Sequence, residues 1–479
     1  MATTTLERGG GVRLASRDRD RLRARLERAV RRARRRGEVL AALTVRLAPD
    51  ADPSAIAMAS RRPGEPWLCL EQPNREGSAL AALGCVRAIE ARGAGRFADA
   101  GRAWRALAAA AEADPADGPP GAGLVAVGGF AFADGGGGAP HWRGFPPASL
   151  HVPEVALARR GDDVRLTLAA LATPDDTADA LLARIEARLG EIVERPLPLL
   201  DPDPAERATI ASLAPPEHYE AAVASAVARI RAGAFEKIVL AREVAVHAPA
   251  PHDAAAVFDV LRQAFDSCYV LCVGRGDATF VAASPELLVR REGLRAQTVA
   301  LAGSTRRSAD PAVDRHLGET LLRSEKDREE QEIVTRRIAA ALRPLSLWVA
   351  APDEPAVVTV ANIQHLATPI RAQLREPIGA VELAGLLHPT PAVGGEPHAA
   401  AVPLIPALEG FDRGWYAGAI GWTDVNEDGE FCVGLRSALL RGREARCFAG
   451  VGVVRDSDPA AELAETEVKL GALLPVLAA

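Results

Sequence analysis

Hydrophobic positions recur with two periods along this chain. Between residues 17 and 36, Leu22, Leu26, Val30 and Ala33 return at helical spacing among arginines, which predicts a basic amphipathic helix. Residues 39–49 and 123–133 read as strands, with a loop from Asp134 to Pro140. Residues 153–172 alternate around Arg160–Asp163 and predict a hairpin, followed by a helix over 176–194. The Pro-rich stretch from Pro196 to Pro216 is the best boundary, dividing an N-terminal region (1–205) from a second region (213–476). In the second region Tyr219, Val223, Val227 and Ile230 mark a helix ending at Gly233, and Lys237–Val246 is a strand. TFVAAS, FCVGLRSALL and CFAGVGVV read as further strands, and 311–342 and 459–477 as helices. Strands and helices do not alternate regularly, so the pattern predicts a mixed α+β fold with largely antiparallel sheets.

Composition narrows the function classes. The 479 residues carry a net charge of −6, which gives no reason to expect a nucleic-acid partner. The Arg-rich helix is expected to present a solvated face. No apolar run approaches the ~18–20 residues of a membrane span, and the N-terminus lacks an apolar signal region. Cys69, Cys85, Cys268, Cys272, Cys432 and Cys447 form no C-x-x-C pair and read as free thiols. A cytoplasmic protein is expected, and a monomer is favoured over a dimer because no coiled-coil seam appears.

Several motifs lack the context they need. Gly121–Ala126 fits a dinucleotide fingerprint but follows a Pro/Asp-rich loop rather than a strand. The glycine run 135–138 lacks the Lys-Ser/Thr of a phosphate loop, and the nine histidines show no zinc spacing.

Four other features suit chemistry. Lys237 opens an otherwise apolar strand, where desolvation favours a neutral amine able to act as a base. Glu286 lies inside the apolar segment SPELL, where burial would favour the protonated acid. Glu462 and Glu465 share a helix face, with Lys469 one turn on, while Glu329 and Glu330 lie in another helical stretch. Carboxylates from two helices suit Mg²⁺, a hard cation that keeps several waters. The small-residue loops AGST (302–305) and HPTPAVGG (388–395) allow backbone N–H groups to approach an anion, and Arg436 can grip a carboxylate bidentately.

Together, KIVLAR, ASPELL, LAGST, SEKDREEQE, IQHLATPI, HPTPAVGG, GWYAGAIGW, VGLRS, FAGVG and AETEVK resemble, in this order, the chorismate-utilising enzymes of menaquinone, siderophore and tryptophan biosynthesis. The likeness spans roughly residues 213–475 and is nearest to the isochorismate synthases. It implies two stacked, largely antiparallel sheets with outer helices, and Mg²⁺-dependent conversion of chorismate to isochorismate. By motif position, Lys237 would activate water for attack at ring carbon C2, and Glu286 would protonate the departing C4 hydroxyl. Glu330 and Glu465 would hold Mg²⁺, with Glu462 helping through water and Lys469 supporting the metal–carboxylate end. Arg436, with backbone near Gly450, would grip the enolpyruvyl carboxylate. Gly303 and Ser304 would contact substrate through their backbone, and His365, Tyr416, Leu435 and Phe448 would form pocket walls.

Ala392 stands where anthranilate-forming relatives usually carry Thr, which favours water over ammonia and retention of the pyruvyl group. Ser304 stands where Thr is common, and Gln331 replaces a usual His. Three alternatives remain open: a salicylate synthase, an aminating lyase, and a non-catalytic chorismate-binding protein. The pathway fed, menaquinone or siderophore, is not written in the residues.

Overall fold

The computed structural model describes residues 5–6, 11–201, 206–360 and 363–478. Among these, two large sheets dominate, and every strand pairing within them is antiparallel. The larger sheet runs 209–212, 237–247, 444–453, 437–441, 278–284, 269–276, 64–72, 78–83, 155–160, 163–172 and 39–46, with 395–396 added beside 237–247. The smaller runs 346–350, 363–374, 295–306, 287–292, 429–433, 419–424, 125–130, 148–152 and 87–91, with 356–360 beside 363–374. Strands from both sides of the Pro-rich stretch share each sheet: 64–72 pairs with 269–276, and 125–130 with 419–424. The expected α+β architecture is the one observed.

Period-two burial explains the layering. One core gathers Leu240, Leu271 and Phe280 of the larger sheet with Val127, Phe130 and Phe431 of the smaller. The alternate residues of the larger sheet, such as Val270, Cys272 and Val281, face outward into a second core roofed by Leu22, Leu26, Leu181 and Phe258 from helices. The helix Ser16–Arg36 buries Leu22, Leu26, Ala29, Val30 and Ala33, as its pattern predicts. Its basic face is not merely solvated. Arg25 pairs with Asp114 at 2.7 Å, Arg32 with Glu112 at 2.6 Å and Arg19 with Glu186 at 2.5 Å. All six cysteines are free, and all but Cys85 are buried. No helix among the described residues is long and apolar enough to cross a membrane.

Three predicted elements are interrupted, the helix expected over 459–477 being two, Pro459–Leu470 and Leu474–Leu477. The helix expected over 311–342 is two, Pro311–Arg323 and Glu325–Leu342, because extended Ser324 accepts a hydrogen bond from the Asp327 amide and caps the second. FCVGLRSALL is not one strand. Gly429–Val433 belongs to the smaller sheet and Ser437–Arg441 to the larger, and Gly434–Arg436 carries the chain across. A second crossing lies beside it: Ala278–Ser284 is in the larger sheet and Leu287–Glu292 in the smaller, joined by Pro285 and Glu286.

The two crossings are bonded to each other. Ser284 Oγ donates to the Val433 carbonyl at 2.5 Å and accepts from the Glu286 amide at 3.2 Å. The Val433 amide donates to the Glu286 carbonyl at 3.1 Å, and the Ala283 amide to the Arg436 carbonyl at 3.1 Å. Ser284 is fully buried, so its hydroxyl cannot be replaced by water without rearrangement. Ser284→Ala is expected to lower unfolding stability by about 1–3 kcal/mol, since it leaves the buried Glu286 amide without its partner and removes one of two donors to the Val433 carbonyl. A urea midpoint equal to that of the wild type would show that the crossings do not depend on this hydroxyl.

Candidate active site

The seam between the sheets opens into one cavity. Glu286, Gly303, Ser304, Glu330, His365, Ala392, Tyr416, Leu435, Arg436, Phe448, Gly450, Glu465 and Lys469 all line it. Lys237 and Glu462, the other residues singled out from sequence, lie buried behind this lining. Lys237 shares a strand face with Val239, which does line the cavity, because alternate residues of a strand point the same way.

Glu286 sits on the first crossing and is almost wholly buried. Burial pushes its carboxyl up to about 8, although the Lys237 charge and a hydrogen bond from Thr390 (3.4 Å) pull the other way. At neutral pH the group is therefore mostly protonated, which suits a proton donor.

Lys237 has no exposed surface. Its Nζ lies 2.9 Å from Glu330 Oε1, and it makes no hydrogen bond among the described residues. Gly452 on the neighbouring strand makes room for this pair. A Cβ there would fall 2.1 Å from Glu330 Oε1 and 2.9 Å from Lys237 Cε.

Arg436 sits on the second crossing with φ +47°, a conformation that costs a non-glycine residue roughly 1–3 kcal/mol. Its Nη2 lies 2.7 Å from His365 Nε2, and its buried Nη1 has no hydrogen-bond partner among the described residues. His365 Nδ1 donates to the Gly303 carbonyl at 3.3 Å, leaving Nε2 to accept from Arg436. Burial and the Arg436 charge hold His365 well below the usual histidine range, so it is neutral. A guanidinium with a buried, unpaired nitrogen at a cavity wall is suited to a ligand carboxylate.

The AGST loop is a bulge. The pairing of Arg295–Arg306 with Ile363–Leu374 shifts between Ala302 and Ser304, and Gly303 adopts φ +70° with Asp327 against it. The bulge turns Ser304 towards Glu465, to which its Oγ donates at 2.7 Å. Phe448 stacks on Tyr416 with ring centroids 5.1 Å apart, and Gly450 leaves space for the Tyr416 hydroxyl.

Two helices supply the carboxylates. Asp458 caps Pro459–Leu470 through the Ala461 amide, placing Glu462 and Glu465 on one face and Lys469 2.8 Å from Glu465. Burial alone would raise the Glu465 carboxyl, but Lys469 and Ser304 outweigh it and hold it below the ordinary range. Glu330 projects from Glu325–Leu342. Gln331 turns away and donates to the Ala300 carbonyl (3.0 Å) and Thr368 (2.9 Å), so it serves packing. Glu462 is bound by Lys326 at 2.5 Å. Glu462, Glu465 and Glu330 all raise the Lys326 ammonium, so the three carboxylates lie on the side of the cavity where Lys326 sits. Hard oxygen donors so placed fit a Mg²⁺ ion that completes its shell with water and ligand oxygens. Among the described residues no group of three His, Cys, Asp or Glu side chains is placed to hold a metal ion by itself, so water and ligand oxygens would have to supply much of the shell.

Sequence reasoning did not single out Thr390, Lys326, Val239, Val393 or Gly452. The signals were present: Gly452 is two residues from Gly450 on the same strand, and Lys326 is one helical turn before Glu330. The raised Glu286 carboxyl is directly testable. An infrared band of the protonated carboxyl is expected to disappear with a midpoint near pH 8 and to be missing from Glu286→Gln. A midpoint in the ordinary carboxylate range would remove the basis for a neutral Glu286.

Comparison with known proteins bears on the whole chain. The chorismate binding enzyme family matches residues 25–478. The salicylate biosynthesis isochorismate synthase of Pseudomonas aeruginosa is 38% identical over 460 residues, covering 96% of this chain and 94% of that protein. Isochorismate synthase MenF of Bacillus subtilis is 35% identical over 357 residues, 74% of this chain and 75% of its own. Among solved structures, MenF, the menaquinone-specific isochorismate synthase from Escherichia coli, superposes with a TM-score of 0.77 at 25% identity, covering 95% of this chain and 99% of that one. The resemblance read from the motifs thus extends through the N-terminal region as well, and the chain belongs to the chorismate binding enzyme family.

Proposed function

We propose that this protein is an isochorismate synthase that converts chorismate to isochorismate with Mg²⁺ and feeds menaquinone or siderophore formation. The observation that carries the reading is the pairing, at one cavity, of a buried neutral carboxyl with a buried lysine. Relatives named isochorismate synthases, at 35–40% identity, support it.

In this reading Lys237 takes a proton from water as its oxygen bonds to C2. Both ring double bonds shift in the same sense, one to C1–C6 and the other to C4–C5, and the C4 hydroxyl leaves with the proton held by Glu286. Water is consumed and released, so the reaction is an isomerisation. Hydroxide leaves poorly and water attacks poorly, so acid and base are both needed, each contributing typically ~10²–10⁴-fold. Arg436, through its unpaired nitrogen, binds the enolpyruvyl carboxylate, and Ser304 steadies Glu465. Glu330 and Glu465, with Glu462 through water, would hold Mg²⁺, which when bound withdraws charge through the ring carboxylate. Ala392 leaves the wall beside Glu286 and Thr390 apolar, which favours stopping at isochorismate over pyruvate loss.

Purified protein with chorismate and Mg²⁺ is expected to yield isochorismate without pyruvate, and EDTA is expected to abolish it. Salicylate with pyruvate would overturn the product assignment, and an ammonia-dependent product would indicate an aminating lyase. Chorismate binding without turnover would indicate a non-catalytic protein. Lys237→Ala and Glu286→Gln are each expected to lower kcat by about 10²–10⁴-fold while chorismate still binds.

The sign of the pH dependence follows from Glu286. Its protonated form is the active one and is lost as pH rises through about 8. kcat is therefore expected to fall on that side. A kcat constant well above that pH would exclude Glu286 as the donor.

A further inference from the structure

Three lysines face the three carboxylates, one each. Lys237 lies 2.9 Å from Glu330, Lys469 2.8 Å from Glu465, and Lys326 2.5 Å from Glu462. Two of these lysines have other work: Lys237 is read above as the base, and Lys469 lines the cavity and donates to the Gly450 carbonyl at 3.0 Å. Lys326 does not line the cavity, and its one hydrogen bond among the described residues is to Glu462. The pair is asymmetric. The Glu462 side chain is 2% exposed and the Lys326 side chain 33%. A buried carboxylate is thus capped by a cation with a route to solvent.

We propose that Lys326 is a built-in counter-cation of the metal site: it neutralises Glu462 in the substrate-free protein and must swing away before a divalent cation can use that carboxylate. The proposal rests on the Mg²⁺ reading given above and adds to it how the site loads. Lys326 and Lys469 balance Glu462 and Glu465, and Arg436 adds a further positive charge. A divalent cation arriving alone would place two more positive charges in a partly buried site. Arriving with a dicarboxylate substrate, it leaves the net charge unchanged. Lys326 thereby opposes metal without substrate and couples the two ligands, and by linkage each must strengthen the other equally. Burial lowers the Lys326 ammonium, but Glu462, Glu465 and Glu330 outweigh it and hold it above the usual lysine range.

Mn²⁺ binding, read by electron paramagnetic resonance, tests this without turnover. Titrations compare the wild type, Lys326→Met and Lys326→Arg, each also in a Glu286→Gln background so that chorismate can be added without being consumed. Without chorismate, Lys326→Met is expected to bind Mn²⁺ at least about tenfold more tightly than the wild type, a modest figure for removing a full charge a few ångströms from a divalent ion. The enhancement of Mn²⁺ binding by chorismate is expected to shrink by the same factor. Lys326→Arg, which keeps the charge, is expected to match the wild type. Lys326→Gln, which retains a donor towards Glu462, is held to the same threshold if the Met variant does not fold. Equal or weaker Mn²⁺ binding by the folded neutral variants, while the protein retaining Lys326 binds Mn²⁺ with chorismate, would overturn the role of Lys326 and leave the metal reading standing. Failure of every protein to bind Mn²⁺ even with chorismate would overturn both.

Discussion

Two strands cross between the sheets side by side, one in each direction, and the site depends on that geometry. A strand that changes sheets gives up its regular ladder for a few residues, and its backbone groups need other partners. Here each crossing supplies them to the other: the Ser284 hydroxyl and the Glu286 carbonyl bond to Val433, and the Arg436 carbonyl receives the Ala283 amide. The residues at the turning points, Glu286 and Arg436, thereby project into the seam between the sheets. The seam buries these side chains, so a carboxyl placed there keeps its proton, and a guanidinium keeps one nitrogen without a partner among the described residues. The positive φ of Arg436 is the local strain of this arrangement, and the paired crossings hold it in place.

The far end of the cavity solves a different problem. An ionised group taken out of water without a partner is strongly disfavoured, so buried charges come in pairs. Three glutamates converge here, and mutual repulsion would scatter them if each did not have its own lysine. Small residues make the packing feasible. Without a side chain at position 452, Glu330 can reach Lys237 across the strand, and the bulge at Gly303 lets Ser304 reach Glu465. Charge pairing and missing side chains act together: neither a larger residue at 452 nor a regular ladder at 303 would leave these contacts in reach.

Much of this was legible in the sequence because local pattern and local structure agree. The amphipathic helix at 16–36, the hairpin at 155–172 and the strand opening at Lys237 follow from periodicity. The breaks at Ser324 and Gly434–Arg436 did not, because helical or apolar spacing continues through both; a capping hydroxyl and a change of sheet decide them. Burial around Glu286 could be anticipated from its apolar neighbours. The Glu330 partner of Lys237 could not, since it comes from a distant helix and only the fold brings the two together. The same applies to Lys326, which reads as one more charge in SEKDREEQE until Glu462 is seen opposite it. Motif order supplied the register that composition lacks, and the N-terminal strands, which match those motifs only loosely, take their places through backbone pairing.

One buried ion pair links the loop that carries Ala392 to the strand that bears Lys237. Arg413 and Glu409 are almost fully buried and bond at 2.9 Å, against the ring faces of Phe132 and Tyr416. Arg413 also donates to the Val239 carbonyl at 3.0 Å and to the Val393 carbonyl at 2.8 Å, and Glu409 accepts from the Ala241 amide at 2.7 Å. The loop carrying Ala392 is therefore fixed to the strand carrying Lys237 through charge-assisted bonds, which are shorter and stronger than neutral ones. Thr390, in the same loop, reaches Glu286. Lys237, Glu286 and the Ala392 wall thus belong to one connected unit. A change in side-chain size at 392 then alters the space beside the substrate while the bonds that fix Lys237 and Glu286 stay in place. On such a frame the cavity wall can vary without rebuilding the supports of Lys237 and Glu286.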